Sequence, residues 1–211
     1  MKVPKYYRNE FESFFVNLYD LFFNVVTLFQ IRRLRREAVN VLGLEKSQSV
    51  IDFACGTGEF TLIIADQVGN NGKVLGVDLS TRMLAIARKK LKAFSQVHFI
   101  RHNFEDIPFR RKYDAAVIGS GAHEVPPEAR LNLYKQAYKM IKSGGKFMVF
   151  DYASAKYPLG WLLWVFLRIV EYPNGLLYIK EDHKKIIEGV GFTQILNKKS
   201  AGLFEVSIYK K

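Results

Sequence analysis

The stretch VIDFACGTGEFT, residues 50–61, decides the fold of this 211-residue chain. It begins as a short apolar strand, passes through a turn that contains Gly56 and Gly58, and continues as a helical pattern. Glycine lacks a Cβ atom, so such a turn can adopt positive φ and let a ligand approach the backbone. The free N–H groups at the start of the next helix suit a carboxylate or a phosphate. The stretch therefore predicts a nucleotide-binding turn or, more simply, a tight bend.

Apolar runs of strand length recur from residue 49 onward, and helical patterns separate most of them. Strands that are apolar on both faces, with helices between them, indicate a parallel sheet covered on both sides. The predicted fold class is therefore α/β, with a doubly wound, Rossmann-like, mainly parallel sheet. The runs lie at residues 50–54, 74–77, 97–100, 115–118 and 147–150.

The remaining segments define the predicted organisation of a single domain. Residues 1–43 are rich in Phe, Tyr and Leu at helical spacing, which predicts a helical extension that acts as a lid. Residues 44–151 form the predicted cofactor-binding core, and residues 152–178 form an insertion after the fifth strand. Residues 179–211 predict a closing helix and a pair of strands.

The charge and the cysteine content of the chain limit its expected partners and its expected compartment. Lys and Arg number 32 against 20 Asp and Glu, which gives a formal net charge of +12. This excess favours nucleic acid or an anionic membrane surface as a neighbour, or it serves solubility alone. The single cysteine, Cys55, excludes an internal disulfide and predicts a reducing, cytoplasmic setting. The first ten residues lack the apolar run of a signal peptide.

An acidic residue follows the glycine turn at an informative interval. Asp78 lies 20 residues beyond Gly58, at the end of the second predicted strand. A carboxylate there can accept hydrogen bonds from both hydroxyls of a ribose. Nicotinamide dinucleotides would use the same arrangement, but Thr61 stands where their third glycine is expected.

The order D-x-A-C-G-T-G at residues 52–58 resembles the first motif of class I S-adenosylmethionine-dependent methyltransferases, which usually carry glycine in place of Ala54. The segments GVDLSTRML, HNFEDIPF, YDAAVIGSGAHEV and IKSGGKFMVFDYA are similar to the later motifs of that family. Within it the chain most resembles the ubiquinone/menaquinone biosynthesis C-methyltransferases, through GTGEFT, Asn103 and NLYDLFFN. The resemblance implies a seven-stranded sheet and S-adenosyl-L-methionine as the cofactor. It implies cofactor contacts from Asp52, Ala54, Gly56, Gly58, Thr61, Asp78, Leu79, Asn103, Phe104 and Gly119.

Three residues are predicted to be catalytic. His123 and Glu124 follow the fourth strand, at the position where the quinone-modifying members carry an Arg-Asn pair. Methylation of a phenol or quinol ring needs a base, and imidazole titrates near neutrality. The resemblance places Tyr19 over the active site. Capping and solvent contact would equally explain the His-Glu pair, and packing would explain Tyr19.

Other polar residues are expected to have structural roles. Glu59 is expected to be exposed on the first turn of its helix, where a carboxylate suits the helix dipole. Cys55 is expected to be a small spacer in the loop. His98, His102 and His183 show no metal-ligand spacing, and no metal site is predicted.

The predicted function is methylation of a lipophilic small molecule, a prenylated quinol or phenol ring. A phospholipid headgroup N-methyltransferase is the alternative, since such enzymes share these motifs and would use the same basic, aromatic surface. An RNA-modifying enzyme and a non-catalytic cofactor-binding module are ranked lower. Nucleic acid is not the expected partner, because GSGAHE stands where adenine-modifying enzymes carry D/N-P-P-Y/F.

The segment PLGWLLWVFLRIV, residues 158–170, is too short to span a bilayer. Tryptophan and arginine at its ends predict peripheral contact with an anionic membrane, at its inner face, and core packing is the alternative.

Overall fold

The computed structural model describes residues 3–7, 24, 29–107, 112–153, 173–200 and 204–211. The helices predicted before residue 24, Tyr19 among them, and the tryptophan-containing part of the insertion lie outside the described residues.

Seven strands form one sheet, which confirms the predicted fold class. Their bounds are β1 Ser49–Phe53, β2 Lys73–Asp78, β3 Val97–Arg101, β4 Tyr113–Gly119, β5 Ile141–Tyr152, β6 Thr193–Ser200 and β7 Phe204–Lys210. The strand order is β3-β2-β1-β4-β5-β7-β6, with β7 antiparallel to both neighbours and every other pair parallel. Order reverses between β1 and β4, and open α/β sheets bind ligands beyond the carboxyl ends of their strands at such a switch point.

Helices connect the parallel strands and bury their apolar residues. The described helices are α1 Ile31–Leu42, α2 Glu59–Val68, α3 Thr81–Lys90, α4 Pro127–Met140, α5 Pro173–Tyr178 and α6 His183–Gly189, with a 3₁₀ helix at Phe104–Asp106. Four consecutive residues are buried in both β1 and β4, so both faces of the sheet are covered at its centre. This burial is the physical basis of the near-continuous apolar runs in the sequence. None of the helices within the described ranges is long and apolar enough to cross a bilayer.

The fifth strand begins earlier than the sequence predicts. Lys142-Ser143-Gly144-Gly145 predicts a turn, and the apolar run that follows predicts a strand from residue 147, whereas β5 starts at Ile141. Pairing with β4 shifts register between the Tyr113–Ile141 and Ala115–Lys146 pairs, and Gly144 has a φ of +78°. The predicted turn is therefore an irregularity within the strand, because the backbone on both sides of it pairs with β4.

Candidate active site

The turn after β1 is held open by backbone conformation and by one carboxylate. Ala54 and Gly56 both adopt left-handed φ values, +50° and +53°. Asp78, the last residue of β2, accepts hydrogen bonds from the Gly56 N–H and the Ser80 N–H, each at 2.8 Å. Asp78 thus ties the turn to the end of β2.

A cavity opens above this turn, lined by residues of the turn and by residues that follow β2 and β4. Five of the ten predicted cofactor residues line it: Ala54, Gly56, Asp78, Leu79 and Phe104. Glu124, one of the predicted catalytic residues, lines the same cavity. The remaining lining residues were not predicted from the sequence: Tyr6, Tyr7, Met83, Ser120, Gly121 and Val125.

The other five predicted cofactor residues do not line the cavity and have structural contacts instead. Thr61 donates a buried hydrogen bond of 2.6 Å to Asp52. The Asn103 side chain accepts from the Glu105 N–H and so caps the 3₁₀ helix. A Cβ atom at Gly119 would lie 2.2 Å from the Phe60 ring, so only glycine lets that ring pack there. Gly58 adopts a φ of +81° as the N-cap of α2.

Asp52 lies within the core at the end of β1. Burial raises its pKa to about 7, and this outweighs the opposing effect of the Thr61 hydrogen bond. The carboxyl is therefore only partly ionised at neutral pH.

The fold places the two predicted catalytic neighbours, His123 and Glu124, in different environments. Glu124 faces the cavity with 17% of its side chain exposed, whereas His123 is 1% exposed and lies behind it. His123 Nε2 is 3.6 Å from Glu124 Oε1. On its other side, His123 Nδ1 is 2.6 Å from Oδ1 of the fully buried Asp151, at the end of β5. The sequence offered one signal for Asp151: an acid at the carboxyl end of a strand next to β4.

The His123–Asp151 pair is held as an ion pair. Burial alone would lower the pKa of His123, but the Asp151 charge and hydrogen bond raise that pKa well above its usual value. Burial alone would raise the pKa of Asp151, but the His123 charge and hydrogen bond lower it. The imidazole is therefore protonated at neutral pH and places a positive charge beside Glu124.

Three side chains from different elements hold the backbone that carries this pair. Asp151 accepts from the Ala122 and His123 N–H groups, at 3.0 and 3.2 Å. Arg130, which is buried on α4, donates to the Ala122 and Val125 carbonyls at 2.9 and 2.8 Å. The Asn174 side chain donates to the Glu124 carbonyl at 3.0 Å. The cavity-facing position of Glu124 is thus fixed by contacts distant in sequence.

Two tyrosines near the N-terminus, which the sequence did not predict as site residues, form part of the cavity wall. Tyr6 and Tyr7 line it, and the Tyr6 hydroxyl donates a hydrogen bond to the Glu105 carboxylate. Tyr19, the third residue predicted to be catalytic, lies outside the described residues.

The expectation for Glu59 was wrong. Its side chain is buried and ion-paired rather than exposed, with Oε1 2.5 Å from Lys90 Nζ. Arg32 and Arg35 of α1 approach its other oxygen at 3.7 and 3.8 Å. Glu59 is buried because Arg32 and Arg35 of the preceding helix, α1, lie over the first turn of α2.

A comparison with known protein families identifies the family of this chain. Residues 4–165, more than half of the chain, match the model of the ubiE/COQ5 methyltransferase family. The chain belongs to the ubiE/COQ5 methyltransferase family. The predicted family is therefore confirmed, and at the level of the family so are the predicted enzyme class and the predicted cofactor, S-adenosylmethionine.

The alignments with curated relatives cover only part of each relative's length. The chain is 32% identical over 137 residues to a demethylmenaquinone methyltransferase of Bacillus licheniformis. The aligned residues are 64% of this chain and 58% of that protein. This chain is 31% identical over 131 residues to the enzyme of the same name from Bacillus cytotoxicus, spanning 61% and 54%. The chain thus spans little more than half the length of these relatives.

Solved structures share the fold at low sequence identity. Magnesium protoporphyrin IX methyltransferase from Synechocystis superposes with a TM-score of 0.74 and 16% identity, covering 97% of this chain and 98% of that one. A SAM-dependent methyltransferase from Aquifex aeolicus gives a TM-score of 0.66 and 15% identity, covering 83% and 88%. These likenesses support the fold assignment alone.

The cavity residues fit S-adenosylmethionine. A strand-end carboxylate, Asp78, suits the ribose hydroxyls, and the left-handed turn at Gly56 leaves the backbone open to the amino-acid tail. Leu79, Met83 and Phe104 supply apolar surface for a purine.

Proposed function

We propose that this chain methylates a lipophilic quinol or phenol ring with S-adenosylmethionine as the methyl donor. The observation that carries this proposal is the position of Glu124: its carboxylate lies at the cavity wall, beside a buried charged pair and in the same cavity as Asp78. The names of the Bacillus relatives support a quinone-related ring as the acceptor.

Asp78, Leu79 and Phe104 would hold the adenosine half of the cofactor, and the turn at Ala54 and Gly56 would receive its amino-acid tail. When bound, S-adenosylmethionine supplies a methyl group on a sulfonium, which an electron-rich ring carbon can take while sulfur keeps the electron pair of the broken bond. The protein contributes orientation and a largely apolar site, which favour reactions in which opposite charges are neutralised.

Glu124 is the base in this proposal. Its carboxylate accepts the proton of the ring hydroxyl, and the oxygen keeps the electron pair of the O–H bond. The ring then carries the negative charge that makes its neighbouring carbon nucleophilic. After methyl transfer that carbon would lose its hydrogen as a proton, the electron pair of the C–H bond would restore the aromatic ring, and the ring oxygen would take a proton back. His123 does not take this proton, since its imidazole is already protonated and buried behind Glu124. Its role is to orient Glu124 and to stabilise the ionised carboxylate by charge.

The test compares two glutamates four residues apart. Glu124→Gln removes the base and keeps the shape, whereas Glu128→Gln changes an exposed residue in the first turn of α4. With a reduced short-chain demethylmenaquinol as acceptor, we expect Glu124→Gln to lower kcat about 10²- to 10⁴-fold. The Kd of S-adenosylmethionine should not change, and Glu128→Gln should behave as wild type. Wild-type turnover by Glu124→Gln would contradict the assignment of the base.

A phospholipid headgroup amine is the second candidate acceptor, because a carboxylate can also take a proton from an ammonium group. Parallel assays with phosphatidylethanolamine vesicles and the quinol decide between the two. Methyl transfer to the phospholipid alone would replace the quinol in the proposal.

We propose in addition that the beginning of α1 contacts an anionic membrane surface. Phe29 is 71% exposed, and the side chains of Arg32 and Arg33 are 72% and 77% exposed beside it. Arg32 also approaches Glu59 at the start of α2, so this basic, aromatic surface lies near the cavity end of the sheet. Anionic lipid attracts such a cluster, and a lipophilic acceptor would be reached there.

Sedimentation with vesicles tests this contact. Binding to phosphatidylglycerol vesicles should fall when Arg33 and Phe29 are both replaced by Ser, and wild-type binding to phosphatidylcholine vesicles should be weak. Equal sedimentation of the wild type with both lipids, or of the wild type and the variant with phosphatidylglycerol, would contradict the proposed surface.

A further inference from the structure

A buried serine lies in the wall of the cavity, and its hydroxyl has no use within the fold. Ser120 follows β4 directly and is 8% exposed, and its Oγ has no hydrogen-bond partner among the described residues. It lines the same cavity as Asp78 and Glu124. Buried hydroxyls in folded proteins are nearly always paired, because an unpaired one lowers stability. Contacts within the described part of the chain therefore do not explain this hydroxyl.

The backbone conformation of Ser120 is also unfavourable for a serine. Its φ is +57°, a left-handed value that favours glycine over a residue with a Cβ atom. The Ser120 N–H donates to the Phe150 carbonyl at 2.7 Å, so pairing with β5 holds this conformation. Glycine at this position would avoid both the strained φ and the unpaired hydroxyl, as Gly119 and Gly121 do on either side. Strain of this kind at a cavity wall indicates a functional group.

Ser120 lies between the residues proposed to hold the cofactor and the proposed base. A Cβ atom at Gly121 would lie 2.8 Å from the Ala54 Cβ, so the loop after β4 contacts the glycine turn after β1. Glu124 follows in the same loop, at the cavity wall. A methyl acceptor has to lie within reach of both the sulfonium and the base. Ser120 is therefore near the place where the ring oxygen of the acceptor becomes charged.

We propose that the Ser120 hydroxyl donates a hydrogen bond to the ring oxygen from which Glu124 takes the proton. This inference rests on the proposed function for the class of the acceptor and for the base. The oxygen gains negative charge as its proton leaves, and a donor at the cavity wall binds the charged oxygen more strongly than the neutral one. Ser120 keeps its own proton, so it stabilises the charged ring and takes no part in the proton transfer.

The experiment measures the binding of a charged ring oxygen without any turnover. The probes are a nitronaphthol whose hydroxyl is ionised at neutral pH and the nitronaphthalene that lacks only that oxygen. Every protein carries Glu124→Gln, whose uncharged amide stands in for the base after it has taken the proton. Isothermal titration, with S-adenosylhomocysteine in the cofactor site, gives the Kd of each probe. Adding Ser120→Ala should weaken the ionised nitronaphthol about 10- to 100-fold, the range of hydrogen bonds to charged groups, and the nitronaphthalene less than about twofold.

The matched control is a second serine with the same backbone conformation. Ser47 also has a left-handed φ, +66°, but it is exposed and precedes β1, at the opposite end of the sheet from the cavity. Adding Ser47→Ala should change neither Kd. Ser120→Gly separates the hydroxyl from the strain. It should lose affinity for the ionised nitronaphthol as Ser120→Ala does, yet unfold at a higher urea concentration than Ser120→Ala, because glycine adopts the left-handed φ without strain.

The outcomes distinguish this inference from the proposed function. An equal loss of affinity for both probes in Ser120→Ala, or no loss for the ionised nitronaphthol, would overturn the role of Ser120 and leave the proposed function intact. A wild-type protein that methylates neither the reduced demethylmenaquinol nor phosphatidylethanolamine would instead overturn the proposed function.

Discussion

The buried pair of His123 and Asp151 permits a quantitative prediction for Asp151→Asn. Both side chains are at most 1% exposed, and the carboxylate also accepts hydrogen bonds from the N–H groups of Ala122, His123 and Tyr152. Removing one member of a buried pair costs about 3–5 kcal/mol. Asparagine keeps one carbonyl acceptor and the imidazole can lose its proton, so we expect a loss of about 3 kcal/mol, at the lower end of that range.

The pH dependence of this loss follows from the two pKa shifts. The pKa of His123 is raised on folding, so its contribution is complete below the unfolded value of 6.5 and disappears as pH rises through the folded pKa. The pKa of Asp151 is lowered on folding, so its contribution is present above the unfolded value of 3.8 and disappears as pH falls through the folded pKa. The difference between wild type and Asp151→Asn should therefore be largest between about pH 4 and 6.5 and should shrink as pH rises above 6.5 towards the folded pKa of His123.

Urea unfolding at pH 5.5, 7.5 and 9.5 measures this difference. Glu37→Gln is the control: it removes an exposed i,i+4 partner of Arg33, and we expect it to cost less than about 0.5 kcal/mol at every pH. A loss below about 1 kcal/mol for Asp151→Asn at pH 5.5, or a loss that does not vary with pH, would refute the ion pair.

Three further predictions concern the glycine turn and its surroundings. Ala54→Gly should raise the free energy of unfolding by about 0.5–1 kcal/mol in urea titrations, because the left-handed φ of +50° costs an L-residue more than glycine loses in chain entropy. Burial raises the folded pKa of Asp52 to about 7, so the folded state binds a proton that the unfolded state has lost. The free energy of unfolding of the wild type should therefore fall as pH rises from 5 to 8, and that of Asp52→Asn should fall less over the same range. Arg130→Lys keeps a cation near Glu181 but cannot donate to both the Ala122 and the Val125 carbonyls. It should lower kcat about tenfold while the Kd of S-adenosylmethionine, measured by titration, stays at the wild-type value.

Local patterns in the sequence were sufficient for the sheet and for five of the residues that line the cavity. Apolar runs predicted five parallel strands because strands buried on both faces must be apolar throughout. The glycine turn and Asp78 were predictable because their spacing depends on one β-α-β unit, whose geometry is local. The start of β5 was misjudged, since whether residues 142–145 form a turn or a bulge depends on pairing with β4.

The predicted catalytic pair illustrates the limit of such patterns. His123 and Glu124 are adjacent in sequence, and no periodicity tells which of them faces a ligand. The structure places Glu124 at the cavity because Asp151, 28 residues later, pairs with His123 and draws it into the core. The burial of Glu59 has the same origin, since Arg32 and Arg35 come from the preceding helix.

The sequence by itself thus determined the family, the order of strands and helices, and the edge of the sheet where a nucleotide would bind. Only the tertiary structure decided which polar side chains are buried, which are charged and which face the cavity. The reason is that a strand or a helix is specified by neighbours a few residues away. The burial and ionisation of a polar group depend instead on partners that folding brings together from distant parts of the chain.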